Sequence, residues 1–107
     1  MLTFSKNLYI GETIKEKKIN LYKLGLKQGR GLIKLYLITL SNNESDQLDI
    51  IHNSLLKQRL YRKLDLRVVG LSNSRSEAID IVNHIVAEAV ENTGKADIKD
   101  YLIKNFE

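Results

Sequence analysis

Leu40-Ser41-Asn42-Asn43-Glu44-Ser45-Asp46-Gln47-Leu48-Asp49-Ile50-Ile51 lines up, thirty-one residues on, with Leu71-Ser72-Asn73-Ser74-Arg75-Ser76-Glu77-Ala78-Ile79-Asp80-Ile81-Val82. Asp46/Glu77, Leu48/Ile79 and Ile51/Val82 keep their chemistry where the letters differ. Each copy follows an apolar run, Leu35 to Leu40 or Leu66 to Leu71, and opens an amphipathic one. That is the pattern of a β-strand, a short loop and a helix. Convergence on one local solution accounts for the match more simply than a duplication, because capping by itself selects Ser, Asn and Asp at these points.

Working outward, Leu32 to Leu40 is the strongest strand, apolar on both alternating faces as in a strand covered by helices on both sides. Asn43 is the expected cap of the following helix, with Leu48, Ile51, Leu55 and Leu56 as its buried stripe and an end near Lys63. In the second copy the strand is Leu66 to Leu71. Ser74 caps, and Glu77 completes a Ser-x-x-Glu capping box. Ile79, Val82, Ile85, Val86 and Ala89 then face inward, and Gly94 supplies a left-handed stop. Asp97 caps a last short helix carrying Ile98, Tyr101, Leu102 and Phe106.

Upstream, residues 2–10 look extended but are interrupted by Ser5-Lys6-Asn7. Residues 12–28 fit either a helix through Ile14, Leu21 and Leu24 or an alternating strand. Helix is favoured by the Lys, Glu and Leu content, with Gly29-Arg30-Gly31 as its stop or as a hairpin turn. The expected order is β-α-β-α-β-α-α. The expected fold class is α/β, with a short, mainly parallel sheet of about three strands and helices on both faces. A single domain over residues 1–107 is expected from the length.

Composition narrows the chemistry. There is no Cys, which removes disulfides and zinc–thiolate sites. No apolar run approaches the length of a membrane span, and Met1 to Lys6 lacks the apolar region of a secretion signal. A cytoplasmic protein without membrane association is expected. The net charge of +4 is unevenly placed. Residues 1–34 carry eight Lys or Arg against two acids, whereas residues 71–107 carry four against seven.

The first candidate site is the pair of loops Ser41-Asn42-Asn43 and Ser72-Asn73-Ser74-Arg75. In a parallel sheet both lie at the carboxyl edge, where open α/β sheets bind ligands. Both precede helix N-termini, whose free N–H groups suit an anion, and Arg75 adds a full charge. Capping is the competing explanation for the same residues. Asp80, His84 and Glu88 share one helical face at a spacing that suits a metal or an acid/base pair, but a solvated polar face accounts for them. His52 borders the Leu48/Leu55 stripe as a packing residue. No Gly-x-Ser-x-Gly elbow, phosphate loop or dinucleotide fingerprint occurs, so no catalytic residue, metal or cofactor is assigned.

The basic stretch Lys15 to Lys34 has one interleaved aromatic, Tyr22, and its lysines are spread round the helix. That disfavours nucleic acid and favours a solubilising face. Tyr101, Leu102 and Phe106 need a hydrophobic home, in this chain or in a homo-oligomer, most simply a dimer through an edge strand or the C-terminal helix.

Leu35-Tyr36-Leu37-Ile38-Thr39-Leu40, Asp49-Ile50-Ile51, Val68-Val69-Gly70-Leu71, Ser76-Glu77-Ala78, Thr93-Gly94 and Asp97-Ile98 together resemble a family of small bacterial α/β proteins. The similarity covers most of the chain from about Leu32 onward and consists mainly of core strands and caps. It implies a bacterial origin and a compact α/β fold, and it transfers no catalytic residue. The expected function is a binding or regulatory module taking a small anionic ligand or a protein partner at the carboxyl edge. The alternatives are an enzyme on a phosphorylated or carboxylated small molecule, using His52 or His84, and a nucleic-acid binder using the basic N-terminal third.

Overall fold

The computed structural model describes residues 2–28, 34–42 and 46–106. Its strands are β1 (Leu2–Ile10), β2 (Tyr36–Leu40), β3 (Leu48–His52) and β4 (Leu66–Ser72). Its helices are α1 (Ile19–Lys27), α2 (Arg59–Arg62), α3 (Arg75–Thr93) and α4 (Ile98–Lys104), with 3-10 turns at Glu16–Lys18 and Asn53–Lys57. The expected Asn43 cap, the Gly29-Arg30-Gly31 stop and the Leu32-Ile33 start of the second strand lie outside the described residues.

The sheet is four-stranded and mixed, in the order β1-β4-β2-β3. Only β1 and β4 run parallel; β2 is antiparallel to both β4 and β3. The expectation of three mainly parallel strands in a strictly alternating order is therefore corrected. Its source is instructive. Near-continuous apolar runs signal a strand covered on both faces. They do not report direction. Leu37, Ile38 and Leu40 of β2, and Val68, Val69 and Leu71 of β4, are all essentially inaccessible, yet the two strands are antiparallel.

The larger correction concerns the first copy. No long helix follows β2. Leu48–His52 is a strand that returns along β2, with Ile50 opposite Ile38 and Leu48 opposite Leu40. Alternation explains it: Leu48 and Ile50 pack on one face of the sheet, while Asp49 between them is exposed. Leu56, expected on a helical stripe, instead reaches the opposite face from the turn after β3.

Helices do cover both faces. On one side α3 and α4 bring Ala78, Ile85, Ala89, Ile98 and Leu102, with Phe106, onto Ile38, Leu40 and Val69. On the other, Ile14 and Leu26 cover Leu35, Leu37, Val68 and Leu71. Burying each such Leu or Ile contributes about 1.5–3 kcal/mol. The ladder slips between Val68 and Gly70 against β2, so Val68 and Leu71 face one side and Val69 the other.

On its other neighbour, β1 makes a wider excursion, since Phe4 pairs with Val68 but Tyr9 with Gly70. The interrupting Ser5-Lys6-Asn7 is this excursion, and it holds the C-terminal segment. The Lys6 N–H donates to the Phe106 carbonyl at 2.8 Å, and the Asn7 amide donates to the Asn105 carbonyl at 3.1 Å. Leu102 and Phe106 thus find their home within this chain.

Candidate functional site

The two parallel strands end together. Past Ile10 the ladder continues through the Gly11 N–H, which donates to the Leu71 carbonyl at 2.9 Å. Beside this rim α3 begins. Ser74 is its N-cap, accepting the Glu77 N–H at 3.2 Å, and Gly94 ends it in the left-handed conformation at φ 69°. The capping signals in the second copy are therefore realised at both ends.

Glu77 has a second task. Its carboxylate folds back over the loop, where Oε1 accepts from the Ser72 hydroxyl at 3.0 Å, the Thr13 hydroxyl at 3.2 Å and the Asn73 N–H at 3.4 Å. Asn73 also donates from its side chain to Thr13 at 2.9 Å. Burial opposes ionisation of Glu77. The hydrogen bonds from Ser72, Asn73 and Thr13 outweigh it and hold the carboxyl below its usual range. Gly11 makes the approach feasible: a Cβ there would stand 1.9 Å from Glu77 Oε1.

An open cleft of about 630 Å³ lies along this rim, lined by the turn at Tyr9 to Glu12 and by the first half of α3 from Ser74 to His84. Three carboxylates, Glu12, Glu77 and Asp80, face it beside His84. Glu12 and Asp80 have no hydrogen-bond or ion-pair partner among the described residues. Deeper along α3, Glu88 accepts from both the Tyr9 and the Tyr101 hydroxyls, tying β1, α3 and α4 together. Burial first, then the bond and charge of Glu88, push the Tyr9 phenol well above its usual range, so it stays a proton donor. His84 meets the Tyr9 ring edge-on at 6.2 Å between centroids.

The expected site residues separate. Ser74 lines the cleft, Ser72 and Asn73 bond to Glu77 beside it, and Arg75 is exposed on the first residue of α3 and is not part of the lining. Ser41 and Asn42 follow the end of β2, which points the opposite way. Tyr36, at the start of β2, pairs with Ser72 and Leu40 with Leu48, so Ser41 and Asn42 lie at the far edge of the sheet. Asn43 lies outside the described residues. The shared rim expected of the two loops is corrected by the antiparallel pairing. A rim of that kind does exist, between β4 and β1, and sequence reasoning missed it. The available signal was Ile10-Gly11, a glycine directly after the first strand.

Asp80, His84 and Glu88 also divide. Asp80 and His84 line the cleft and are exposed, whereas Glu88, expected in solvent, is half-buried and occupied by two tyrosines. Among the described residues no group of three His, Asp or Glu is arranged to hold a metal ion. His52 packs edge-on against Tyr36 at 5.0 Å. Its Nδ1 lies 2.8 Å from the Ser54 hydroxyl and accepts the Ser54 N–H at 3.1 Å, which caps the following turn. A hydroxyl beside an imidazole is the start of a nucleophilic pair, but this imidazole nitrogen already serves the backbone.

Compared with models of known protein families, with curated proteins and with solved structures, the chain matches none of them.

Proposed function

We propose that this chain is a non-enzymatic binding module that holds a positively charged segment of a protein partner in the cleft beside β1 and β4. The observation that carries the reading is the pair of unpartnered carboxylates, Glu12 on the turn after β1 and Asp80 on α3, which line one cleft together with His84 of α3. Carboxylates at a partly enclosed cleft attract ammonium and guanidinium groups more strongly than scattered surface charges do.

The same geometry weighs against a small anion. A helix N-terminus attracts anions through its free N–H groups. Here the chain supplies its own carboxylate, Glu77, whose hydrogen bonds take up Ser72, Asn73 and Thr13. A phosphate at Ser72, Asn73, Ser74 and Arg75 would have to displace Glu77 or sit beside its negative charge.

An NMR titration with a short oligolysine peptide, set against inorganic phosphate, tests the reading. The peptide is expected to shift the amides of Glu12, Asp80 and His84, with affinity falling in the Glu12→Gln/Asp80→Asn variant. Phosphate is expected to shift none of them. Shifts by phosphate at Ser74 and Arg75, with none by the peptide, would reverse the assignment in favour of an anion.

A further inference from the structure

The other face of the sheet has opposite character. Two of the most exposed large apolar side chains of the described residues, Leu21 at 62% and Leu24 at 53%, belong to its helix α1. On α1, Leu21 and Leu24 are three positions apart and share one side of the helix. Ile19, Tyr22 and Leu26 on the other side join the core over β2 and β4. The outward side of α1 is therefore apolar as well, and within the chain nothing among the described residues covers it.

Around those leucines the charge is nearly all of one sign. The described part of the stretch Lys15 to Lys34 holds six lysines, Lys15, Lys17, Lys18, Lys23, Lys27 and Lys34, against one carboxylate, Glu16. None of the six forms an ion pair among the described residues. Lys23 and Lys27 rise on one flank of α1, each ammonium 5.7 Å from the Phe4 ring centroid, while Lys17 and Lys18 occupy the turn ahead of it. Leu60 of α2 is exposed too, at 67%, with exposed Arg59 before it and exposed Lys63 just past the helix end. The turn just before α2 sends Leu56 into the same core layer that α1 covers.

We propose that this face docks on a bilayer surface rich in anionic lipid. In the docked state α1 lies flat, Leu21 and Leu24 enter the boundary between headgroups and acyl chains, and the lysines meet lipid phosphates. No helix among the described residues is long and apolar enough to cross a membrane, so the contact is peripheral. Charge complementarity selects an anionic partner, and the leucines select among anionic partners. A nucleic acid offers phosphates but no apolar layer. Tyr22, which would have to stack on bases, is packed against the core instead. A second copy bringing the same face would set lysine against lysine.

Co-sedimentation of the full chain with vesicles of equal parts phosphatidylglycerol and phosphatidylcholine tests this, with pure phosphatidylcholine vesicles as the comparison. Binding is expected only to the anionic vesicles and should weaken as salt is raised. Leu21→Ser/Leu24→Ser, which leaves the charge unchanged, should lower binding at least about tenfold. Lys17→Gln/Lys18→Gln should lower it by about fivefold for each lysine. Both pairs are exposed, and an unchanged melting temperature verifies that each variant is folded. No binding to anionic vesicles at low salt overturns the proposal. So does equal binding by wild type and the leucine variant, which marks a general polyanion contact that duplex DNA would share. Self-association in sedimentation equilibrium that vanishes with the leucine variant also overturns it, because the face then joins copies of the chain.

Discussion

Leu40 to Ile51 and Leu71 to Val82 share an alphabet and adopt different structures. After β4 the chain becomes a nineteen-residue helix; after β2 it turns back as a strand. Both copies leave the sheet through a buried serine, Ser41 or Ser72. The two copies part in burial further on, at the position held by Gln47 in one and Ala78 in the other. Ala78 is wholly buried where α3 lies on the sheet, a spot that tolerates only a small apolar side chain. Gln47 could not be placed there without burying an amide. It stays exposed, and its Oε1 accepts the Lys99 N–H at 2.8 Å, in the first turn of α4. Local capping letters are thus permissive. What the next apolar residues can pack against decides whether they are used.

Five substitutions would break or sharpen this contrast. Ala78→Gln, which makes the second copy like the first, is expected to cost at least about 3 kcal/mol. It both overpacks the helix–sheet contact and buries an amide. Urea denaturation measures it, and a loss under about 1 kcal/mol would show that α3 does not depend on close approach there.

Gly11→Ala comes next. Its Cβ would displace the Glu77 carboxylate, at an expected cost of about 1–2 kcal/mol. Glu77→Gln should cost a similar amount, and the double variant should cost little more than either, since both remove one set of contacts. The pH dependence has a definite sign. A folded-state pKa below the ordinary 4.5 means that the contribution of Glu77 is present above that value and is lost as pH falls through the depressed folded pKa. The advantage of wild type over Glu77→Gln should therefore shrink in acid. If it stays constant from neutral pH down through that range, the carboxylate is not what the loop binds.

Ser74→Ala removes the N-cap acceptor and should cost about 1 kcal/mol by thermal or urea unfolding. Gln47→Ala, at the position matching Ala78, should cost about 0.5 kcal/mol, because the Lys99 N–H can turn to water. Hydrogen exchange at Lys99 would report that change directly. If Gln47→Ala proves more costly than Ser74→Ala, the first copy carries a structural role larger than a single exposed bond.

Legibility in the sequence followed range. The features of α3 came from neighbours within four residues: Ser74 with Glu77, the inward Val82, Ile85 and Ala89, and Gly94 at the end. Two inward assignments on the same helix did not hold, since Ile79 and Val86 remain exposed at 43% and 37%. A stripe of apolar residues wider than the sheet beneath it cannot all be buried. Leu48, Ile51 and Leu55 satisfied helical spacing, and Leu48 with Ile50 satisfied strand spacing equally well. A five-residue stretch such as Leu48 to His52 carries both periods, and only the edge of β2 resolved them. The cleft was half visible. Its α3 side lay among the expected residues, but its β1 side depended on a pairing between segments some sixty residues apart, Ile10 with Leu71.

By itself the sequence determined which segments are buried on two sides, where α3 starts and stops, and that residues 1–34 are basic while residues 71–107 are acidic. These are properties of composition and of energies settled within a turn or two of backbone. The tertiary structure alone decided that β4 runs with β1 and against β2, that the first copy closes a hairpin, and that Gly11 and Glu77 share one rim. Strand direction leaves no mark on a strand covered on both faces, because the same side chains fill the same layers either way. Only the geometry of the connections and the partner already in place distinguish the two directions.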